Sequence, residues 1–276
     1  MSNVCEENYD AVVIGGGIQG AGCAQALSAK GYSVLLVDKS GFGEATSSKS
    51  SKLVHGGLRY LESGQFSLVR KSLAERATLV KIAPDLVSLK RFYLPVYRRQ
   101  RLGRIKLAAG LTLYSLLGGL NEQARFSIVP KNKWSSLPDL HALKKEGLQT
   151  VFQYWDAQTD DQLLTIAVVN SAKSLGCDAL PHTHVRSAQR AEDRWQLTLQ
   201  TTSQHTLQTR CRVIVNAAGP WVESVQQSIA NVSAGPAIDL VQGSHIEFDT
   251  PLGDGIFYVE SPVDQRAVFI MPWHGH

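Results

Sequence analysis

The chain has 276 residues, of which 43% are hydrophobic and 19% charged, a composition typical of globular proteins that excludes a disordered chain. Its length allows one large domain or two smaller ones. The net charge of +4 is too small to indicate a nucleic-acid partner, and we expect none.

The four cysteines are scattered and form neither a C-x-x-C pair nor a zinc-binding spacing: Cys5, Cys23, Cys177 and Cys211. We therefore expect reduced thiols in a cytoplasmic protein, and no metal. The start of the chain, MSNVCEEN, is polar and acidic and shows no signal peptide. The longest apolar run, Leu107 to Leu120, has 14 residues, fewer than the roughly 20 that span a bilayer.

Residues 10–38 predict one β-α-β unit. The apolar run from Ala11 to Ile14 indicates a buried parallel strand, and the run from Val34 to Val37 indicates a second. Between them, the small residues from Ala21 to Leu27 predict a helix with a narrow face, which Gly31 ends.

Three glycines separate this strand from this helix, with the spacing G-x-G-x-x-G. Gly15 allows a tight turn, Gly17 lets the backbone approach a diphosphate, and Gly20 lets the helix pack against the strand. The helix then offers its free N–H groups to the phosphates. Asp38, at the end of the second strand, can accept hydrogen bonds from a ribose. Strand, glycines, helix, strand and acid in this order predict a dinucleotide site.

Residues 46–61, TSSKSSKLVHGGLRYL, predict a hydroxyl-rich loop that enters a helix near Lys52. Its serine and threonine hydroxyls can donate hydrogen bonds to phosphate or flavin oxygens. Gly56 and Gly57 interrupt a good helix at a cost of roughly 1 kcal/mol each, which indicates close approach of the backbone to another group. The alternative is a solvated serine-rich turn followed by a kinked helix.

The rest of the chain alternates helices and strands. Helical spacing, caps and stop signals predict three more helices, at residues 66–83, within 98–119 and at 161–175. Short apolar or alternating runs predict strands at 91–96, 150–155, 212–215, 244–248, 256–260 and 266–271, and two or three more within 177–200. Because the last strand would leave an unprotected sheet edge, we expect the fold to continue beyond His276.

Five segments in order resemble the FAD-dependent glycerol-3-phosphate dehydrogenases, within the wider group of D-amino-acid-oxidase-like flavoproteins. They are YDAVVIGGGIQGAGCAQALSAKGYSVLLVDK, TSSKSSKLVHGGLRYLE, RFYLPVY, VIVNAAGPW and LVQGSHIEF. The resemblance implies an α/β fold with a Rossmann-like FAD-binding domain and a second, mostly antiparallel β domain for the substrate. It implies a discontinuous FAD domain, 1–90 with 157–225, and an incomplete substrate domain, 91–156 with 226–276.

The same resemblance assigns residues to the cofactor. It implies that the hydroxyl-rich loop lies along the flavin, through Ser47, Ser48, Ser51, Lys52 and Leu53. It also implies that Val185 contacts the adenine, and that the loop Ala217, Ala218, Gly219 passes near the ADP portion. Pro220 and Trp221 then begin the next helix, where proline is favoured in the first turn.

Around the substrate, the resemblance implies that Arg59, Tyr60 and His245 lie near a bound glycerol phosphate. A guanidinium suits a phosphate dianion. Oxidation of a secondary alcohol also needs a base for the hydroxyl proton, and His55 or His245 can serve. For His245 the alternative is a hydrogen-bonded histidine within a strand.

The implied reaction is oxidation of sn-glycerol 3-phosphate to dihydroxyacetone phosphate, with electrons passed from FAD to a quinone or, as in oxidase relatives, to oxygen. Two alternatives stay open: a related flavoenzyme for an amine or another hydroxy acid, and an inactive fragment that binds only the nucleotide. The basic residues of 98–106 precede the apolar run, which favours either peripheral contact with the inner face of the cytoplasmic membrane or a solvated loop before a core helix.

Overall fold

The computed structural model describes residues 8–98, 100–233, 235, 238–250 and 252–273. Within them lie five α-helices: α1 (Ile18–Ser28), α2 (Phe66–Ile82), α3 (Arg104–Leu117), α4 (Asp161–Ser174) and α5 (Val222–Gln227). The strands are β1 (Asn8–Ile14), β2 (Val34–Val37), β3 (Leu53–Val54), β4 (Val87–Tyr97), β5 (Ser127–Ile128), β6 (Leu148–Thr159), β7 (Asp178–Leu180), β8 (Thr183–Ala191), β9 (Arg194–Thr201), β10 (Thr206–Asn216), β11 (Ile256–Glu260) and β12 (Ala267–Ile270). Short 3-10 turns lie at Thr46–Ser48, Leu58–Leu61, Lys131–Lys133, Pro138–Ala142 and Gly219–Trp221.

The chain divides into two compact units, each built on one sheet from two chain segments. The first contains the described residues up to Lys52 and Asp160–Gly243; the second contains Leu53–Thr159 and the described residues from Ser244 onward. The boundaries differ from the predicted ones mainly at residues 53–90, which fall in the second unit. The reason is that β3 pairs with β6 and α2 packs into the core beneath β4.

The first unit has a six-stranded sheet in the order β7-β2-β1-β10-β9-β8, in which the first four strands are parallel. Side chains of β1 alternate between two buried layers: Val12 packs with Leu35 on one face, and Val13 packs against α1 on the other. The buried face of α1 carries only small residues, Gly20, Ala21, Ala24 and Ser28, so the helix packs closely. The predicted β-α-β unit is confirmed.

The predicted cap of the helix after residue 160 is also confirmed. Asp160 Oδ1 accepts a hydrogen bond from Leu163 N at 2.9 Å, and the chain leaves the helix before Gly176, whose φ is +94°. We expect Asp160→Ala to lower the free energy of unfolding by about 1 kcal/mol, since an N-terminal N–H loses its acceptor. Chemical denaturation measures this, with Asp193→Ala, at an exposed turn of the same unit, as the control. Equal stability of the two variants would contradict the prediction.

The second unit has a mixed sheet in the order β12-β11-β4-β6-β3, with β5 paired to β6. The antiparallel β4–β6 pair spans almost the whole of both strands, and β11 runs parallel to β4. α2 and α3 cover one face, where Val69 and Leu73 of α2 and Leu111 and Tyr114 of α3 join the buried core. Among the described strands of this sheet every pairing except β11–β4 is antiparallel, as predicted for the second domain.

Two predicted elements are wrong. The helix expected near Lys52 is absent, because Lys52 has a φ of +59° and the next two residues form β3 against Gln158 and Ala157. The strand expected at 244–248 is absent too: this segment has no regular structure, and Ile246 is 76% exposed. In addition, the strand expected at 212–215 is the end of the longer strand β10, and it is partly exposed, since Val213 is 53% exposed.

Cys23, Cys177 and Cys211 are free thiols, while Cys5 lies outside the described residues. Burial raises the pKa of Cys177 and of Cys211 to about 11, so both stay protonated at neutral pH. Among the described residues, no helix is both long and apolar enough to span a membrane, α3 included.

Candidate functional site

The turn between β1 and α1 has no room for side chains at two of its glycines. Gly15 has a φ of +107°, a conformation that side chains disfavour, and its N–H donates to Val37 O at 2.8 Å. A Cβ on Gly15 would overlap the carbonyl of Ala217, and a Cβ on Gly20 would overlap the carbonyl of Gly15. The glycines therefore let strand, helix and the 217–219 loop meet.

The N-terminus of α1 is available to an anion. Gly17 is the N-cap and supplies no side chain, and no acidic residue stands in the first turn. Ser47 Oγ accepts from Ile18 N at 2.9 Å, which brings the hydroxyl-rich loop to this helix end. The helix dipole and the backbone N–H groups together favour negative charge here.

Asp38 organises the turn. Its two carboxylate oxygens accept hydrogen bonds from Gly16 N at 2.6 Å and from Ser40 N at 2.7 Å. Each carboxylate oxygen has two lone pairs, so Asp38 keeps acceptor capacity for a ribose hydroxyl. The carboxylate that the sequence predicts as a ribose acceptor thus also holds the glycine turn.

These elements surround a cleft of about 240 Å³ in the first unit. Eight of the residues predicted for the cofactor line it: Gly15, Gly17, Asp38, Ser47, Val185, Ala217, Ala218 and Gly219. Gly20 packs directly behind the turn, where a Cβ would overlap the Gly15 carbonyl. Ser48, Ser51 and Lys52 do not line the cleft, and Leu53 belongs to the second unit.

Ser48 bonds within the loop itself, and Lys52 bonds both to the loop and to the first residue of α4. Ser48 Oγ donates to the carbonyls of Glu44 and Ala45 at 2.8 and 2.9 Å. Lys52 Nζ lies 2.7 Å from Asp161 Oδ1 and 2.6 Å from Ser48 O. Burial raises the pKa of the Asp161 carboxyl, but hydrogen bonds from Lys52 and Ser50 outweigh it, and the net pKa is lowered. In this arrangement Ser48 and Lys52 hold the loop, and their contact with a flavin stays a prediction.

Three residues that the sequence did not assign to the cofactor also line the cleft: Lys39, His184 and Trp221. Lys39 Nζ lies 3.9 Å from the centroid of the Trp221 ring. Burial, with Arg186 and Lys39 nearby, lowers the pKa of His184, so its imidazole is neutral at neutral pH. Trp221 was assigned only to the start of a helix, and no local pattern pairs it with a lysine far away in sequence.

A second cavity, of about 610 Å³, lies in the second unit. It is lined by three of the residues predicted for the substrate, His55, Arg59 and Tyr60, together with Tyr154, Asp156, Tyr258 and Phe269. Arg59 forms no ion pair with any carboxylate among the described residues. His55 Nδ1 is buried and has no hydrogen-bond partner in the part of the chain that the structure describes. The guanidinium of Arg59 and the imidazole of His55 therefore line the same cavity.

Asp156 is a cavity residue that the sequence did not predict. It is 2% exposed and pairs with Arg76, Nη1 to Oδ1, at 2.6 Å. Burial raises the pKa of the Asp156 carboxyl; the Arg76 guanidinium and hydrogen bonds from Gly56 and Tyr114 lower it without cancelling the effect of burial. Its place within YWDAQTDD gave no sign that this aspartate, unlike Asp160, is buried.

His245 stands apart from these residues. It lies in the exposed, irregular segment 244–248 and is not among the residues that line the second cavity. The strand predicted at 244–248 is not formed, which excludes the alternative that His245 is a hydrogen-bonded histidine within a strand. Its role near the substrate stays a prediction.

Comparison with known proteins finds relatives named glycerol-3-phosphate dehydrogenase, the family that the sequence motifs resemble. The chain is 36% identical over 270 residues to a glycerol-3-phosphate dehydrogenase of Pseudomonas tolaasii, covering 98% of this chain and 51% of that protein. It is 32% identical over 279 residues to an aerobic glycerol-3-phosphate dehydrogenase of Staphylococcus aureus, covering 99% and 49%. The chain spans about half the length of the curated relatives it matches. The predicted resemblance is confirmed.

Solved structures share the fold. The glycerol-3-phosphate dehydrogenase of Bacillus halodurans complexed with FAD superposes with a TM-score of 0.68 at 22% identity, covering 98% of this chain and 46% of that one. The L-alpha-glycerophosphate oxidase of Mycoplasma pneumoniae with FAD bound has a TM-score of 0.61 at 16% identity, covering 81% and 57%. At these identities the likeness establishes the fold alone, and it confirms the predicted α/β class.

The sequence itself identifies the family. Residues 10–276 match the family described as FAD dependent oxidoreductase, which is nearly the whole chain. The predicted cofactor, FAD, is the one that this family uses. The chain belongs to the FAD-dependent oxidoreductases.

Proposed function

We propose that this chain supplies the flavin-binding cleft and part of the substrate pocket of an enzyme that oxidises sn-glycerol 3-phosphate to dihydroxyacetone phosphate. The observation that carries the proposal is the cavity in the second unit, which brings together His55 and Arg59, a guanidinium that has no carboxylate partner among the described residues. The names of the relatives at 32–37% identity support the same substrate.

The residues of the first unit fit FAD. The side-chain-free turn at Gly15 and Gly17 and the open N-terminus of α1 would hold the diphosphate, with Ser47 beside it. Asp38 would accept from the ribose, and Val185 and the 217–219 loop would lie along the adenosine. FAD, when bound, supplies the acceptor for the hydride that leaves the alcohol carbon.

In the substrate pocket, the two polar groups have different tasks. The Arg59 guanidinium would bind the phosphate through paired N–H donors, and Tyr60, which is 42% exposed, would line the same side. A histidine would accept the hydroxyl proton as the carbon is oxidised. His55 is the candidate that lines the cavity, and His245 is the second.

The acceptor of the electrons is proposed to be a quinone, reached by peripheral contact with the membrane. What supports this is α3, which buries Leu111 and Tyr114 but leaves Ile105 78% exposed between Arg104 and Lys106. An apolar side chain between cations suits a membrane interface. Of the other basic residues, Arg101 pairs with Glu62, and Arg99 lies outside the described residues.

The assignment of Arg59 is tested by Arg59→Ala in the FAD-loaded protein. Hydrogen bonds to charged groups contribute about 1.5 to 3 kcal/mol, so we expect the KM for sn-glycerol 3-phosphate to rise roughly 10- to 100-fold. Reduction of an artificial dye acceptor measures the rate. Arg70→Ala, at an exposed arginine of α2 in the same unit, should leave the KM within about twofold of the parent. An unchanged KM in Arg59→Ala would remove Arg59 from the site.

The substrate itself is tested by a panel of sn-glycerol 3-phosphate, glycine, L-proline and unphosphorylated hydroxy acids with the same dye. Turnover of the phosphorylated alcohol alone supports the proposal. Turnover of an amine instead would assign the chain to another reaction of this fold. Binding of FAD without reduction by any of them would leave only the nucleotide-binding role.

A further inference from the structure

A buried polar cluster lies directly behind the His55–Gly56 segment. Asp156 Oδ1 accepts from Gly56 N at 3.0 Å, and Asp156 Oδ2 accepts from the Tyr114 hydroxyl at 2.9 Å. Arg76 Nη1 donates to Asp156 Oδ1 at 2.6 Å and to Trp155 O at 2.8 Å, while Nη2 donates to Gln123 O at 2.8 Å. The three side chains are at most 2% exposed.

Where the pairing of β3 with β6 ends, the polar cluster provides the next hydrogen bond to the chain. Val54 pairs with Ala157 as the last residue of β3, and the next attachment is the bond from Gly56 N to the side chain of Asp156. His55 therefore stands between two attachments to consecutive residues of β6. A Cβ on Gly56 would overlap both the Tyr114 hydroxyl and Leu73, so the segment lies tight against the cluster.

His55 itself has little else to fix it. Its Nδ1 finds no partner among the described residues, so no hydrogen bond from that atom orients the ring. Its backbone, by contrast, is anchored on both sides. The position of the imidazole in the cavity thus depends on where Asp156 holds the neighbouring N–H.

We infer that Asp156, held by Arg76 and Tyr114, is a positioning residue for His55: it fixes the backbone on which the imidazole enters the substrate cavity. The inference rests on the proposed function of this cavity as the substrate site. Asp156 acts on His55 through Gly56. A base displaced by about 1 Å loses up to about 100-fold in rate, so such an anchor has a measurable effect on turnover.

The test is Tyr114→Phe, which deletes one hydroxyl and leaves the ring in place. That hydroxyl is bonded to Asp156 and also lies 3.0 Å from Gly56 N. The chain offers a matched control, Tyr93→Phe. The Tyr93 hydroxyl likewise donates to a carboxylate, Asp139, at 3.1 Å, and its side chain is fully buried in the same unit, but it does not line the substrate cavity.

With FAD and sn-glycerol 3-phosphate, Tyr114→Phe is expected to lower kcat by about 10- to 100-fold while the KM stays within about twofold, because Arg59 is untouched. Tyr93→Phe should retain the parental kcat. Equal losses of kcat in both variants, or no loss in Tyr114→Phe, would overturn the inference. A tenfold rise in KM at unchanged kcat would overturn it as well.

Amide exchange of Gly56, followed by NMR on glycine-labelled protein, gives a readout that does not depend on turnover. In the unmodified protein the Gly56 amide should be protected, and in Tyr114→Phe it should exchange roughly tenfold faster. Fast exchange in the unmodified protein would overturn the inference even if the variant failed to fold. Should the unmodified protein not oxidise glycerol phosphate, the proposed function fails, while protection of Gly56 still decides whether the anchor exists.

Discussion

Replacing Arg76 with alanine is expected to lower the free energy of unfolding by about 3 to 5 kcal/mol, because removal of one partner leaves a buried carboxylate without its cation. Asp156 is 2% exposed, so its carboxylate would be left largely desolvated and without a counter-charge. The variant also loses the donors to the carbonyls of Trp155 and Gln123. Denaturation with urea, followed by circular dichroism, measures the change.

The exposed pair of Arg101 with Glu62 supplies the control. Its atoms meet at 2.9 Å, but the two side chains are 45% and 40% exposed. Exposed ion pairs contribute about 0 to 1 kcal/mol, so Arg101→Ala should change the unfolding free energy by no more than that. If Arg76→Ala were no more destabilising than Arg101→Ala, the buried pair would not be a structural element of the second unit.

Substitution of Gly20 by alanine is expected to weaken FAD binding at least roughly tenfold, since its Cβ would overlap the Gly15 carbonyl and push α1 away from the glycine turn. The N–H groups at the start of α1 would then lie farther from the diphosphate of the bound FAD. Titration of FAD, followed by quenching of its fluorescence, gives the Kd.

Two further glycines make this test selective. Gly22 lies on the same helix, and a Cβ there would meet nothing within 4 Å, so Gly22→Ala should bind FAD normally and gain up to about 1 kcal/mol in stability. Gly17→Ala brings a Cβ only to 3.0 Å from Ser47 Oγ, so it should fold yet still bind FAD more weakly. Equal Kd values for all three variants would place the cofactor elsewhere.

Much of the first unit was predictable because its signals are local. Short apolar runs, the glycine spacing and the small face of α1 each act within one element or one turn, and the structure has β1, α1 and β2 where these patterns place them. The second helix, α2, and the capped helix α4 were equally clear. The segment 46–61 was not, because its serines and glycines permit both a helix and a turn, and pairing of β3 with β6 decides between them.

The candidate site likewise contains residues that local patterns predict and residues that only the tertiary structure brings together. Gly15, Gly17 and Asp38 follow from the strand–turn–helix pattern, and they line the cleft. Arg59 and His55 share a cavity because Gly57, at a φ of +77°, turns the chain between them. The strand expected around His245 was wrong, since its alternating side chains suit a strand but no neighbouring strand is paired with it in the described part of the chain.

By itself, the sequence determined the dinucleotide turn, the order of most helices and strands, and the family, since these depend on residues within a few positions of each other. Only the tertiary structure decided that Asp156 meets Gly56, 100 residues away, and Arg76, 80 residues away. The physical reason is that strand register brings such partners together, and a buried carboxylate is stable only where a cation and N–H donors reach it. Composition and periodicity indicate which apolar side chains are buried, but not which polar groups are buried with them or which of these meet.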